Sequence, residues 1–163
     1  MKRNSFPQKL TFLLVLTALC VLGGGESVRA EDAQLKVPRF VSLSKDEVFV
    51  RTGPALQYPI RWIYRKRGLP VEIVREYDAW RQIRDYDGST GWVHHAMLAG
   101  YRSVIIQPKE GVTLLSDSHE GADPVVRLDT GVVAGVDRCE QEWGRLHISG
   151  FKGWARRPAL WGV

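Results

Sequence analysis

The chain writes one pattern twice, about 63 residues apart. The first version reads Trp80-Arg81-Gln82-Ile83-Arg84, a turn at Asp87-Gly88, Gly91-Trp92-Val93, then Ala96-Met97-Leu98-Ala99-Gly100. The second reads Trp143-Gly144-Arg145-Leu146-His147, a turn at Ser149-Gly150, Gly153-Trp154-Ala155, then Pro158-Ala159-Leu160-Trp161-Gly162. Trp to Trp is 12 positions in one version and 11 in the other. One residue lost at a hairpin tip is what a repeat tolerates most easily. Upstream, Gly68-Leu69-Pro70-Val71-Glu72-Ile73-Val74 matches Gly131-Val132-Val133-Ala134-Gly135-Val136.

A unit this short buries only about 60% of the surface its unfolded chain exposes. Aromatic residues offset that deficit, because each buries roughly 150–250 Å². All six Trp residues lie after position 61. Glu47-Val48-Phe49-Val50-Arg51, Val71 to Tyr77 and Trp80 to Arg84 are short runs rich in β-branched and aromatic residues, divided by Gly, Pro and Asp. Such runs argue for strands, and Asp87-Gly88 suits a tight hairpin. No segment shows the 3.6-residue period of an amphipathic helix. The expected fold class is therefore all-β, two tandem small barrels that share an interface. Trp161, Leu160 and the first copy's Tyr64 or Trp62 are candidates for that contact.

The first thirty residues stand apart. Lys2, Arg3 and Lys9 precede an apolar run from Leu10 to Leu22, and Val28-Arg29-Ala30 ends in small residues. That is the pattern of a secretory signal peptide, with cleavage expected after Ala30. The apolar run is about 13 residues, short of the roughly 20 that a spanning helix needs. Cys20 follows the bulky Leu19, which argues against lipid attachment. Residues 1–30 are thus read as the signal, 37–100 as the first domain and 101–163 as the second. Localisation is expected to be periplasmic or secreted, with no membrane span after cleavage.

Removing the signal changes the charge. The whole chain carries 23 basic and 18 acidic residues; the signal takes four basic and one acidic, leaving 19 and 17, net +2. A nucleic-acid partner loses its electrostatic basis. Cys139 alone remains after cleavage, so neither an internal disulfide nor a cysteine zinc cluster can form.

Val50-Arg51-Thr52-Gly53-Pro54, then Gly68 before an apolar strand, Trp80, Gly91-Trp92-Val93 and a short turn ending at Leu98 resemble a bacterial SH3-like domain of the SH3b type. Gly68 to Val74, Trp80 to Asp85 and Gly88 to Val93 resemble more closely the SH3-like proteins exported by alphaproteobacteria. The resemblance covers nearly the whole mature chain as two copies. The second is divergent: Leu114-Leu115-Ser116-Asp117 replaces the Val-Arg-x-Gly-Pro run, so its first long loop is expected to differ in shape. The resemblance implies a five-stranded, partly open barrel. It also implies a long loop after the first strand and a one-turn 3₁₀ segment before the last. It further implies a non-catalytic module associated with the cell wall. In other proteins such modules precede peptidases that act on peptidoglycan; here no catalytic domain is expected after Trp161.

The residues offer little catalytic chemistry. His94-His95 are adjacent, and neighbours on a strand point to opposite faces, so they do not chelate one metal easily. Cys139 with His147 lacks an orienting third group. Asp85, Asp87, Glu140 and Glu142 read as turn residues and not as a glycosidase pair. The cluster that stands out is Arg61, Arg65, Lys66 and Arg67, interleaved with Trp62 and Tyr64. Residues 37–100 hold ten basic and seven acidic residues, against eight and eight in 101–163. Arg holds carboxylates bidentately and stacks on Trp. Tyr58, beside Gly53-Pro54, is the expected exposed aromatic. Tyr58, Arg61, Trp62 and Arg65 are accordingly the candidate ligand-binding residues, for an anionic component of the cell envelope such as peptidoglycan. The alternatives are a protein–protein adaptor or structural protein of the envelope, and thirdly a cell-wall hydrolase. No cofactor or metal is expected.

Overall fold

The computed structural model describes residues 35–163; the signal, Cys20 and the cleavage after Ala30 lie outside the described residues. Two seven-stranded antiparallel sheets follow each other in the chain. The first comprises β1 (Arg39–Leu43), β2 (Val48–Arg51), β3 (Ile60–Tyr64), β4 (Pro70–Tyr77), β5 (Trp80–Arg84), β6 (Thr90–His94) and β7 (Leu98–Ala99). The second comprises β8 (Ser103–Ile106), β9 (Val112–Leu115), β10 (Pro124–Leu128), β11 (Val133–Glu140), β12 (Trp143–Ile148), β13 (Phe151–Arg156) and β14 (Leu160–Trp161). Their strand orders are the same, β3-β2-β6-β5-β4-β1-β7 and β10-β9-β13-β12-β11-β8-β14. One-turn 3₁₀ segments at His95–Met97 and Arg157–Ala159 precede the last strand of each. The five strands implied by resemblance become seven because the long loop zips into its own hairpin, β2–β3 in one copy and β9–β10 in the other.

Each sheet curls around its own apolar cluster. In the first copy this is Val41, Leu43, Val48, Val50, Val71, Ile73, Ile83 and Val93. In the second, Val104, Ile106, Leu114, Leu146 and Leu160 form the middle. Strand alternation selects these faces: Val48 and Val50 point in while Phe49 points out. Gly91 also points in, and a Cβ there would collide with Val50 and approach Trp62. Trp92, between Gly91 and Val93, therefore lies on the outer face of β6, opposite Gln82 and Arg51. It is nonetheless buried, as are Trp80 and Trp154. The Gly-Trp repeat thus builds a second buried layer on the outside of the strand.

The two barrels meet along β1 and β8. Ser42 and Ser103 are both buried, with their hydroxyl oxygens 2.7 Å apart. Ser103 Oγ donates to the Gly68 carbonyl at 2.6 Å. A hydroxyl has one hydrogen, so Ser42 must be the donor to Ser103. Tyr101 donates its hydroxyl to the Leu43 carbonyl at 3.2 Å. Phe40 meets Trp161 edge-to-face, centroids 5.1 Å apart. Gly162 adopts φ +126°, and a Cβ there would strike the Ser103 carbonyl, so only glycine closes this seam without strain. The expected contact of Trp161 with Tyr64 or Trp62 does not form. Both of those aromatics lean on the first barrel's own core, because β3 lies at the far end of the sheet order from β1 and β7.

The relay order makes a prediction. Ser103→Ala leaves the half-buried Gly68 carbonyl without its hydroxyl donor and removes the acceptor of Ser42, so it should cost about 1–3 kcal/mol. Ser42→Ala leaves the Ser103–Gly68 bond intact and should cost less, and the double variant should cost little more than Ser103→Ala alone. Urea melts of the three variants check this; a Ser42→Ala loss exceeding that of Ser103→Ala would reverse the assigned direction.

Candidate functional site

The candidate residues all lie on or beside the β2–β3 hairpin. Its connecting segment, residues 52–59, is held by its own backbone: Thr52 N–H donates to Pro59 O at 3.0 Å and Ala55 N–H to Gly53 O at 3.0 Å. Tyr58 packs over Gly53, where a Cβ would stand only 2.5 Å from the ring. Arg51 donates to the Tyr58 carbonyl at 2.8 Å. The ring of Tyr58 is therefore positioned and still exposed.

On β3, the Arg61 guanidinium stacks over Trp62 with Cζ 5.4 Å from the ring centroid, within the cation–π range. It also donates to the Thr90 carbonyl at 3.0 Å. Trp62 turns inward, meeting Tyr64 edge-to-face at 6.0 Å. Arg65 projects into solvent and pairs with Glu47 at 3.0 Å. Arg61 and Trp62 thus form one unit. Arg65 lies four residues along an extended backbone, roughly 13 Å away. Held on Thr90 and Glu47, the two guanidinium groups go to different partners and suit a ligand that repeats its negative charge.

A network beneath this surface escapes the sequence reading. Tyr64 donates its hydroxyl to Asp85 Oδ2 at 2.5 Å, while Ser89 N–H donates to Asp85 Oδ1 and Asp87 Oδ1, both at 2.9 Å. Burial pushes the Asp85 carboxyl up, and its hydrogen bond with Asp87 pushes the same way; the Tyr64 bond pulls it down. The bond from Asp85, then those from Ser89, hold Asp87 below the usual carboxylate range. Burial, then Asp85, drives the Tyr64 phenol far above its ordinary value. Asp85 and Asp87 do act as turn residues, as expected, but they also tie the β5–β6 turn to β3. The contact joins residues 21 apart, and no local spacing signals it.

Other motifs are placed differently from their spacing. His94 and His95 do not diverge: β6 ends at His94 and the 3₁₀ turn begins at His95, so the rings tilt together at 4.6 Å. His94 Nδ1 accepts from Ala96 N–H at 3.2 Å, capping that turn. No group of three metal-ligating side chains occurs among the described residues. His147 pairs with Asp137 at 2.6 Å, while Cys139 lies opposite Gly144. In the second copy Arg156 stacks over Trp143 at 4.9 Å and grips Glu120 at 2.6 Å and Glu142. That latch gives the divergent loop, 116–123, its own closure. No helix among the described residues is long and apolar enough to cross a membrane.

A family model described as bacterial SH3 domain matches residues 44–100 and again residues 108–162. No curated protein matches the chain. Among solved structures, the chain is similar to NlpC1 from Trichomonas vaginalis at 12% identity, covering 78% of this chain and 47% of that one, with a TM-score of 0.36. It is similar to NlpC2 from the same organism at 12% identity, over 76% and 48%, with a TM-score of 0.35. An NLPC/P60 family protein from Bacillus cereus matches at 11% identity, over 76% and 56%, with a TM-score of 0.34. The chain spans about half the length of these structures.

The Tyr64–Asp85–Asp87 network carries a pH signature. A raised native pKa at Asp85 means that its proton is held more tightly folded than unfolded. Its contribution favours the fold at low pH and is lost as pH rises through the native value. Asp87, lowered, has the opposite sign: its contribution is present at higher pH and is lost as pH falls. Tyr64→Phe removes a bond that stabilises the Asp85 carboxylate, so Asp85 should titrate higher still. Asp87→Asn removes the partner that holds the proton on Asp85, so Asp85 should titrate lower. A carboxyl-carbon NMR titration of the three proteins reads both shifts; movement in the reverse direction would break the assigned network.

Proposed function

Because the chain belongs to the bacterial SH3 domain family, in two tandem copies, we propose that it is a non-catalytic module that binds a repeating anionic component of the cell envelope, peptidoglycan foremost. Domains of this family are commonly cell-wall binding modules. The observation that carries the reading is Arg61 stacked on Trp62, with Arg65 one residue past the end of that strand and the exposed ring of Tyr58 in the loop before it. Stem-peptide carboxylates recur along a wall polymer, and sugars and extended peptides both lie well on aromatic faces. The loop is already tied down, which lowers the ordering cost of binding. The first copy carries the whole charge excess of the two domains. A periplasmic location follows from the leader pattern in residues 1–30.

Binding through exposed charges is weak, about 0–1 kcal/mol for each pair, and is screened within roughly 8–10 Å. Sedimentation with purified peptidoglycan at low salt provides the test. Arg61→Ala with Arg65→Ala should release most of the bound protein, and added salt should do the same. Glu47→Gln frees Arg65 from its internal partner and should tighten binding, by at most about fivefold. Wild-type protein that stays wholly in the supernatant, or a double variant that sediments undiminished, overturns the reading.

A further inference from the structure

We infer that the free edge of β3 takes up an extended segment of a partner protein in which acidic and apolar residues alternate. Among the described residues β3 is hydrogen-bonded on one side only, to β2. An open edge presents unpaired backbone donors and acceptors to any passing strand, and proteins usually blunt it with proline, bulges or charge. Both copies slip register near the start of this strand, at Val125 in β10 and at Arg61 in β3. They differ in that β10 opens with Pro124, whereas Pro59 stands just before β3 and no residue of β3 lacks its N–H.

The face beside that edge is apolar and uncovered. Phe49 and Ile63 are register partners on the outer side of the hairpin, 42% and 38% exposed, with Ile60 at 45%. Arg65, one residue past the end of β3, follows Ile63 by two, and Arg61, at the register slip, precedes it by two; both are exposed. The edge therefore reads basic, apolar, basic at alternate positions. Cross-strand pairs of opposite charge and of apolar residues each contribute roughly 0.2–1 kcal/mol. A strand that satisfies all three offers acid, apolar, acid at the same spacing, and the backbone ladder supplies the rest. Lys66 and Arg67 extend the positive field past the end of β3. This recognition differs from that of a wall polymer, which would use the arginines and Trp62 but not the ladder or Ile63.

The full chain is titrated with three seven-residue probes and followed by NMR and amide exchange. The parent peptide is Thr-Glu-Thr-Val-Thr-Glu-Thr; the second has Lys in place of both Glu; the third is the parent with alternate backbone amides N-methylated. The parent should slow amide exchange in residues 60–65 and bind at least tenfold more tightly than either control. Ile63→Asn should weaken the parent peptide at least threefold while leaving sedimentation with peptidoglycan unchanged, which separates failure of this inference from failure of the wall-binding reading. Equal binding of the N-methylated or the Lys peptide, or shifts outside β2 and β3, overturns the inference. Absence of any response to the parent peptide at millimolar concentration does so as well.

Discussion

A single hydroxyl hydrogen organises the seam between the two barrels. Ser103 spends its proton on the Gly68 carbonyl, so Ser42 must turn its own toward Ser103. Gly68 N–H in turn donates to the Leu43 carbonyl at 2.9 Å, and Leu43 N–H donates to the Leu69 carbonyl at 2.9 Å. The relay therefore fixes the end of β1, the turn before β4 and the start of β8 at once. Buried polar groups are tolerated only when partnered, and among the described residues no buried side-chain polar atom lacks a partner. Two barrels each near the lower size limit keep separate cores but gain a shared buried seam in this way, with Phe40 on Trp161 as its apolar flank.

The same scaffold carries two different surfaces. Position for position, Trp80 faces His94 across β5–β6, and Trp143 faces Arg156 across β12–β13. In the first copy the histidine turns to cap a 3₁₀ segment, leaving the long loop to be held by Tyr58 over Gly53. In the second, the arginine reaches out and fastens the loop through Glu120. One copy thus keeps Tyr58, Arg61 and Arg65 exposed, although Thr90 and Glu47 hold the two arginines. The other satisfies its arginine with its own acids, in keeping with the balanced charge of that half.

The fold was largely legible because it depends on local pattern. Alternation, Gly-Trp pairs and turn residues repeat at fixed spacing, and each constrains a strand or a hairpin. What stayed hidden depends on distance in sequence. Arg39 to Leu43 is a short run whose pairing partners, Pro70 to Ile73 and Leu98 to Ala99, lie far downstream. Tyr64 looked available for the interface, yet Asp85 claims its hydroxyl from across the sheet. The candidate site divides the same way. Residue type alone could bring Arg61 and Trp62 together, being adjacent. It could not reveal that Glu47 already engages Arg65, or that Arg61 is anchored on Thr90.

Each barrel is closed by its first strand pairing antiparallel with its last: Leu43 with Leu98 and Ser42 with Ala99, then Ile106 with Leu160 and Ile105 with Trp161. In that arrangement the chain enters and leaves a barrel on the same side. Tension applied along the chain would not shear the closing pair; it would open it like a zipper, breaking one bond at a time. Both zippers have their forks at the serine seam. The docked neighbour then serves as a clasp over each opening and adds to the hold that β4 and β11 already have on β1 and β8.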